Sequence, residues 1–208
     1  MTTASYANRN ARNPDRTRER ILVAAFDLLY QKGYQGMRLD EILAETGLTK
    51  GALYHHFPNK QALGYAVVEE MIQPMIESMW LEPIQAAADP FDALVGVIQD
   101  LPKNSARRLV EFGCPLNNLI QEMAPMDEGF RTRLDELVRL WHDATRRALQ
   151  QSVATGRIRA DVDCDATASF IQAAIEGCIG LNKCSRDADR LARCLTGVVH
   201  YLRSLETR

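Results

Sequence analysis

Residues 39–60 read LDEILAETGLTKGALYHHFPNK, and this stretch decides the fold. It spells two short helices joined by a tight turn. Asp40 and Glu41 put negative charge in the first turn of the first helix, where the helix dipole favours it. Leu39, Ile42 and Leu43 recur at i, i+3 and i+4 as one apolar stripe. Gly47 follows, and a glycine there takes the left-handed conformation that ends a helix. Leu48 plugs the corner. Thr49 is a good N-cap for a second helix that starts at Lys50 and ends near Phe57. That helix turns Leu53 and Phe57 inward and leaves Lys50, Gly51, Ala52, Tyr54 and His55 on or near its outer face. Pro58 and Asn59 stop it.

Two helices with a short glycine turn form the helix-turn-helix arrangement, whose second helix enters the major groove of DNA. The outer face has the chemistry for it. Lys50 supplies a cation and a donor. Gly51 and Ala52 keep the helix N-terminus slim, so that the backbone can approach base edges. Tyr54 and His55 offer donors for phosphate oxygens and flat rings for thymine methyls, and Lys60 reaches the phosphate backbone. The plain alternative for the same residues is a helical hairpin with a solvated face.

Beyond this reading of the residues, the stretch resembles the DNA-binding domain of the TetR family of bacterial transcriptional regulators. The residues that carry the resemblance are Gly33-Tyr34, Ile42, Gly47 to Gly51, Leu53 to Phe57, Asn59-Lys60 and Leu63, in register without a gap. The resemblance implies a three-helix DNA-binding head, a larger helical ligand-binding body, a homodimer, and repression relieved by a small molecule. The sequence departs from the family at Arg38, where a Ser or Thr commonly caps the helix. Arg38 cannot cap in that way, but it is suited to contact a phosphate.

The formal net charge is −2, which at first argues against nucleic acid. The charge is unevenly spread: residues 1–60 hold nine Lys/Arg against six Asp/Glu, and the remainder holds 16 against 21. Phosphate neutralisation is local, so a basic head suffices on an acidic body. The domains are therefore expected at 1–60, with 1–13 a flexible arm, and 61–208. No apolar run approaches the ~20 residues of a membrane span. The N-terminus has no apolar segment of a secretory signal, so the expected location is the cytoplasm with no membrane partner. A disulfide framework is not expected there from five cysteines without paired spacing.

Taken in order, Arg9 and Arg12 belong either to a groove-reaching arm or to a solvated tail. A first helix from Pro14 or Asp15 to Lys32 buries Ile21, Leu22, Ala25, Phe26, Leu28 and Leu29, and Gly33 ends it. A fourth helix runs from Lys60 to about Trp80, kinked by Pro74. Asp89-Pro90 starts a helix to Asp100, and residues 101–113 are expected to form a loop because Pro102 breaks it.

Pro115 opens a helix to Met123 with Cys114 at its N-cap, where unpaired amides and the dipole favour thiolate. A long periodic helix follows between Asp127 and Thr155. Met75, Phe112, Cys114, Asn117, Met123 and Trp141 are the candidate effector-binding residues; simple core packing is the alternative. The last two helices, about 166–183 and 187–205, are apolar over wide arcs. Ala173, Ala174, Gly177 and Gly180 let another helix approach closely. With Leu195, Val198 and Val199 they form the expected dimer interface, as the resemblance implies.

The expectation is an all-α protein of about nine helices, a three-helix head and a larger helical body. Its partners are double-stranded operator DNA, a second copy of itself and a small-molecule effector, with no cofactor and no metal. No phosphate loop, GxGxxG, HExxH or GxSxG occurs, and His142 and His200 stand isolated. Cys178, Cys184 and Cys194 have no known zinc spacing. Two alternatives stay open. One keeps the head and makes the signal covalent through Cys114. The other is a helical enzyme or small-molecule-binding protein with no DNA role.

Overall fold

Apolar residues at helical spacing make helices throughout the computed structural model, which describes residues 14–207. Among these residues the only strand-like feature is an isolated antiparallel bridge between Ile158 and Glu206. The arm arginines Arg9 and Arg12 lie outside the described residues. Two compact units divide between Met71 and Ile72.

In the N-terminal unit, α1 (Pro14–Gly36) carries Asp15 in its first turn and is interrupted at Gly33, with φ 77° and ψ 168°. Helix α2 (Leu39–Thr46) ends at Gly47, with φ 65°. Helix α3 (Lys50–His56) follows, then α4 (Lys60–Val67). Ile21, Leu29, Met37, Ile42, Leu53 and Leu63 are wholly buried between these helices. Each such aliphatic side chain contributes about 1.5–3 kcal/mol by leaving water. The unit extends past Lys60 because Leu63, Ala66 and Val67 of α4 are buried, with α4 packed on α1.

The helical run after α4 is irregular, where a single kink at Pro74 was expected. A π-turn at Val68–Ile72 leads into α5 (Gln73–Ile76), which has Pro74 in its first turn. A second π-turn at Glu77–Leu81 leads into α6 (Glu82–Ala86). The irregularity thus flanks the proline on both sides, as wide turns that absorb an extra residue.

In the C-terminal unit, α7 (Pro90–Phe112) starts on an Asp89 cap and continues through Pro102. The loop expected over residues 101–113 is corrected to helix as far as Phe112. Burial explains it. The apolar stripe of Phe91, Leu94, Val95 and Ile98 goes on through Leu101, Leu109 and Val110, all buried. That burial outweighs the ~3 kcal/mol cost of an internal proline. Then come α8 (Pro115–Met123), α9 (Glu128–Ala154), α10 (Cys164–Ser185) and α11 (Ala188–Arg203). Asp127, Asp163 and Asp187 cap the last three by accepting from backbone amides. With the run from α4 to α6 counted once, the described residues form nine helices.

Two ties link residues distant in sequence within this unit. Arg157 bridges Asp89 (3.1 Å), Asp92 (3.0 Å) and Glu206 (2.9 Å), while Arg203 reaches Asp92 (2.7 Å) and Glu206 (2.6 Å). The second tie corrects the cysteine reading: Cys178 of α10 and Cys194 of α11 form a disulfide, with Cα atoms 5.6 Å apart. Linear spacing hid the pair because the α10–α11 hairpin brings positions 16 residues apart face to face.

Candidate DNA-binding surface

Helix α3 is short and is positioned by its ends. The Thr49 hydroxyl accepts from the Ala52 amide at 3.2 Å, and the Asn59 side chain caps α4 through the Ala62 amide at 2.7 Å. Leu53 and Phe57 are 1% and 2% exposed, so α3 is anchored by one side. Its other side is open. Thr49, Lys50, Gly51, Tyr54 and His55 are exposed, and Ala52 is half-buried. Arg38 stands at the N-cap of α2 with no side-chain cap bond, and its side chain is exposed.

Arg38, Lys50, Tyr54 and Lys60 line one cleft of about 360 Å³. The Lys50 ammonium lies 5.9 Å from the centre of the Tyr54 ring. The Lys60 ammonium lies 4.8 Å from the Tyr34 ring and donates to the Gln35 carbonyl at 3.1 Å. Three cations, a phenol and the Asp40 carboxylate share this concave face. Behind it, Arg18 is paired with Glu70 and lies 4.9 Å over the Phe57 ring. Burial, His55 and Arg18 together lower the pKa of His56, which favours its neutral form. Arg18 is therefore engaged within the unit.

Gly51 is informative. A Cβ built there would meet only the Thr49 hydroxyl, at 4.0 Å. The fold of the chain itself does not require glycine at this position.

The candidate effector residues separate into groups. Trp141 is buried and stacks on Trp80 with ring centres 4.8 Å apart. Its Nε1 is buried and has no hydrogen-bond partner among the described residues. Cys114 and Asn117 meet at Glu176, to whose carboxylate both side chains hydrogen-bond. Oε2 of Glu176 is buried without a partner among the described residues. Met123 is buried, and Met75 and Phe112 are half-buried. The Phe112 carbonyl accepts from Asn118 at 2.6 Å, and Lys183 donates to the same Asn118 at 3.0 Å.

The thiolate argument for Cys114 is corrected by its surroundings. Burial raises its pKa well above the ordinary thiol value, and the Glu176 carboxylate adds to the shift. Amides at the start of α8 oppose this and lose, so the thiol stays protonated. Glu176 escaped the sequence reading. The available signal was that it is the only charged residue between Asp165 and Lys183.

Of the residues expected at a dimer interface, Ala173, Gly177 and Gly180 are exposed and Ala174 is half-buried. Leu195, Val198 and Val199 are corrected: they are at most 6% exposed and belong to the chain's own core. Among the described residues no group of His, Cys, Asp and Glu could hold a metal ion, and no helix is long and apolar enough to cross a membrane.

A helix-turn-helix with an open second helix and a cationic cleft defines a DNA-binding head. Two family profiles match the chain: "Bacterial regulatory proteins, tetR family" over residues 21–67 and "Tetracyclin repressor-like, C-terminal domain" over residues 90–198. The chain belongs to the TetR family and is a DNA-binding transcriptional regulator. It is 26% identical to the transcriptional repressor DhaR of Mycobacterium sp. strain GP1 over 199 residues, covering 92% of this chain and 94% of that one. It is 31% identical over 128 residues to an HTH-type regulator from the lacX 3' region of Lactococcus lactis, covering 62% of this chain and 64% of that protein. A TetR regulator of Chloroflexus aurantiacus superposes with a TM-score of 0.82 at 28% identity, over 93% of this chain and 97% of that one.

Proposed function

We propose that the protein is a homodimeric repressor that holds a palindromic operator and is released by a small-molecule effector. The observation that carries the reading is the open face of α3, where Lys50 and Tyr54 share one cleft with Arg38 and Lys60. The relative DhaR, a repressor by name, supports the sign of regulation.

An exposed stripe on α10 supports the dimer. Phe170, Ala173, Gly177 and Gly180 recur at intervals of three and four, and Leu181 adjoins them; Phe170 and Leu181 are 50% and 68% exposed. Small residues flanked by large exposed apolar ones fit close helix packing against a second copy, and a twofold axis would pair two heads with two half-sites.

Unused hydrogen-bonding capacity supports the effector. Oε2 of Glu176 accepts nothing and Nε1 of Trp141 donates nothing, although both are buried. Such groups are costly unless something fills them. A ligand bearing a donor or cation for Glu176, or an acceptor for Trp141, would do so.

Fluorescence anisotropy with DNA from immediately upstream of the protein's own gene, across a salt series, tests the reading. Tight, competitor-resistant binding with a steep salt slope supports it. Binding no better than to random DNA, there and in a genome-wide selection of bound fragments, would overturn it.

A further inference from the structure

We propose that Cys178 and Cys194 form a reversible thiol–disulfide modification site whose state sets the operator affinity of the protein. The two residues face each other across the α10–α11 hairpin with Cα atoms 5.6 Å apart, a separation that a disulfide spans without backbone movement. The bond is not what holds the hairpin together. Ile171, Ile175 and Ile179 of α10 and Leu191, Leu195 and Leu202 of α11 are all buried, and Asp187 caps α11. The pair can therefore open without unfolding the unit, which a reversible site requires.

The two sulfurs differ in access. Cys178 is 5% exposed, whereas Cys194 is half-buried. Cys114 is the opposite case, fully enclosed beside a carboxylate. Cys164 and Cys184 are free thiols, so among the described residues the disulfide lies at the α10–α11 pair.

The co-reactant is a low-molecular-weight disulfide. The Cys194 thiolate attacks one of its sulfurs, giving a mixed disulfide and one small thiolate. The Cys178 thiolate then attacks the Cys194 sulfur, which forms the Cys178–Cys194 bond and expels the second small thiolate. The protons released by the two cysteines end on the two small thiols. Two protein thiols are oxidised and one small disulfide is reduced. A small dithiol reverses the sequence.

The site matters because α10 has two working faces. Cys178 lies on the side turned to α11, directly beside exposed Gly177 and one turn before exposed Leu181, while Phe170 packs against Tyr201 of α11 at 4.7 Å between ring centres and is still half exposed. Closing the bond fixes α10 against α11 and pre-organises the outward stripe. The coupling to affinity rests on the dimer reading above; the bond itself does not.

The test uses the full chain, oxidised by glutathione disulfide or reduced by dithiothreitol, with each state verified by thiol alkylation and mass spectrometry. The disulfide form is expected to bind operator DNA about tenfold more tightly, and repeated cycling should restore each value. Cys178→Ala, Cys194→Ala and the double variant should bind alike in both states, and Cys184→Ser should respond as the unaltered chain does. Circular dichroism excludes unfolding, and the double variant removes any stray thiol left by a single one. Equal affinity of the two verified states overturns the proposal, as does a response that survives in the double variant. Failure of both states to bind DNA would instead strike the regulator reading, so the two failures are distinguishable.

Discussion

Replacing Gly51 should separate folding from DNA binding by pushing them in opposite directions. A Cβ at this position meets only the Thr49 hydroxyl, at 4.0 Å, and the residue is exposed. Gly51→Ala therefore creates no clash within the chain and removes backbone freedom that the unfolded state enjoys. The gain is about 0.5 kcal/mol, the low end of the glycine-to-alanine range, because the site lies in the first turn of α3. That corresponds to a rise of about 1–2 °C in Tm for a chain of this size. Gly51→Leu should likewise fold, since leucine is a good helix former and its side chain would lie in solvent. On DNA the same groups occupy the space through which the α3 backbone approaches base edges. The expected loss for Gly51→Leu is on the order of 100-fold in operator affinity, or about 2.7 kcal/mol, with a smaller loss for Gly51→Ala. Thermal melting by circular dichroism gives the first quantity and anisotropy with operator DNA the second. If Gly51→Leu keeps its affinity within twofold, α3 does not present this face to DNA. If it unfolds, the glycine serves the fold and the reasoning from open space is refuted.

Three further outcomes follow from the same structure. Thr49→Ala removes the acceptor for the Ala52 amide and should destabilise the head by about 1 kcal/mol, while Thr49→Asn should melt close to the unaltered protein. Asp92 is held below the usual carboxylate range by hydrogen bonds from Arg203 and then Arg157, so its contribution is present above the unfolded carboxylate pKa and is lost as pH falls through the folded one. Asp92→Asn should lower the unfolding free energy at pH 7 by a few tenths to about 1 kcal/mol, given the exposure of the cluster, and the difference, read by thermal melting, should vanish in acid; a pH-independent difference would contradict the ion-pair account. Burial raises the pKa of Glu176, so the folded state binds this proton more tightly and loses stability as pH rises through the folded pKa. Glu176→Gln should therefore raise Tm more at pH 8 than at pH 5, and equal gains at both would refute a buried ionisable role.

What the sequence disclosed depended on how local the determining interactions were. The head was legible almost to the residue because each signal acts within a turn: Gly47 ends α2, Thr49 caps α3, and Leu53 and Phe57 fall one turn apart. The run through Pro102 was misread because the local rule for proline is strong, and what overrides it is tertiary burial of Leu101, Leu109 and Val110. Leu195, Val198 and Val199 were assigned outward because an apolar stripe does not say which partner covers it; here the same chain does. Cys114 and Asn117 share the start of α8, but Glu176 comes from α10, and that meeting is a fact of packing that no local spacing encodes. The cysteine pair was hidden for the same reason.

The two π-turns have a consequence for how the gene can change. Each wide turn accommodates one residue more than an α-helix would, and in a regular helix one residue shifts every later side chain by about 100° around the axis. Val68–Ile72 and Glu77–Leu81 are thus places where a codon can be gained or lost while the helix remains a helix. At Val68–Ile72 such an event would leave Trp80, Leu81 and Ile84, all buried, in phase with their neighbours. The segment is a frame-tolerant splice in the polypeptide, and length variation among related chains should concentrate there rather than in α2 or α3, where no spare residue is stored.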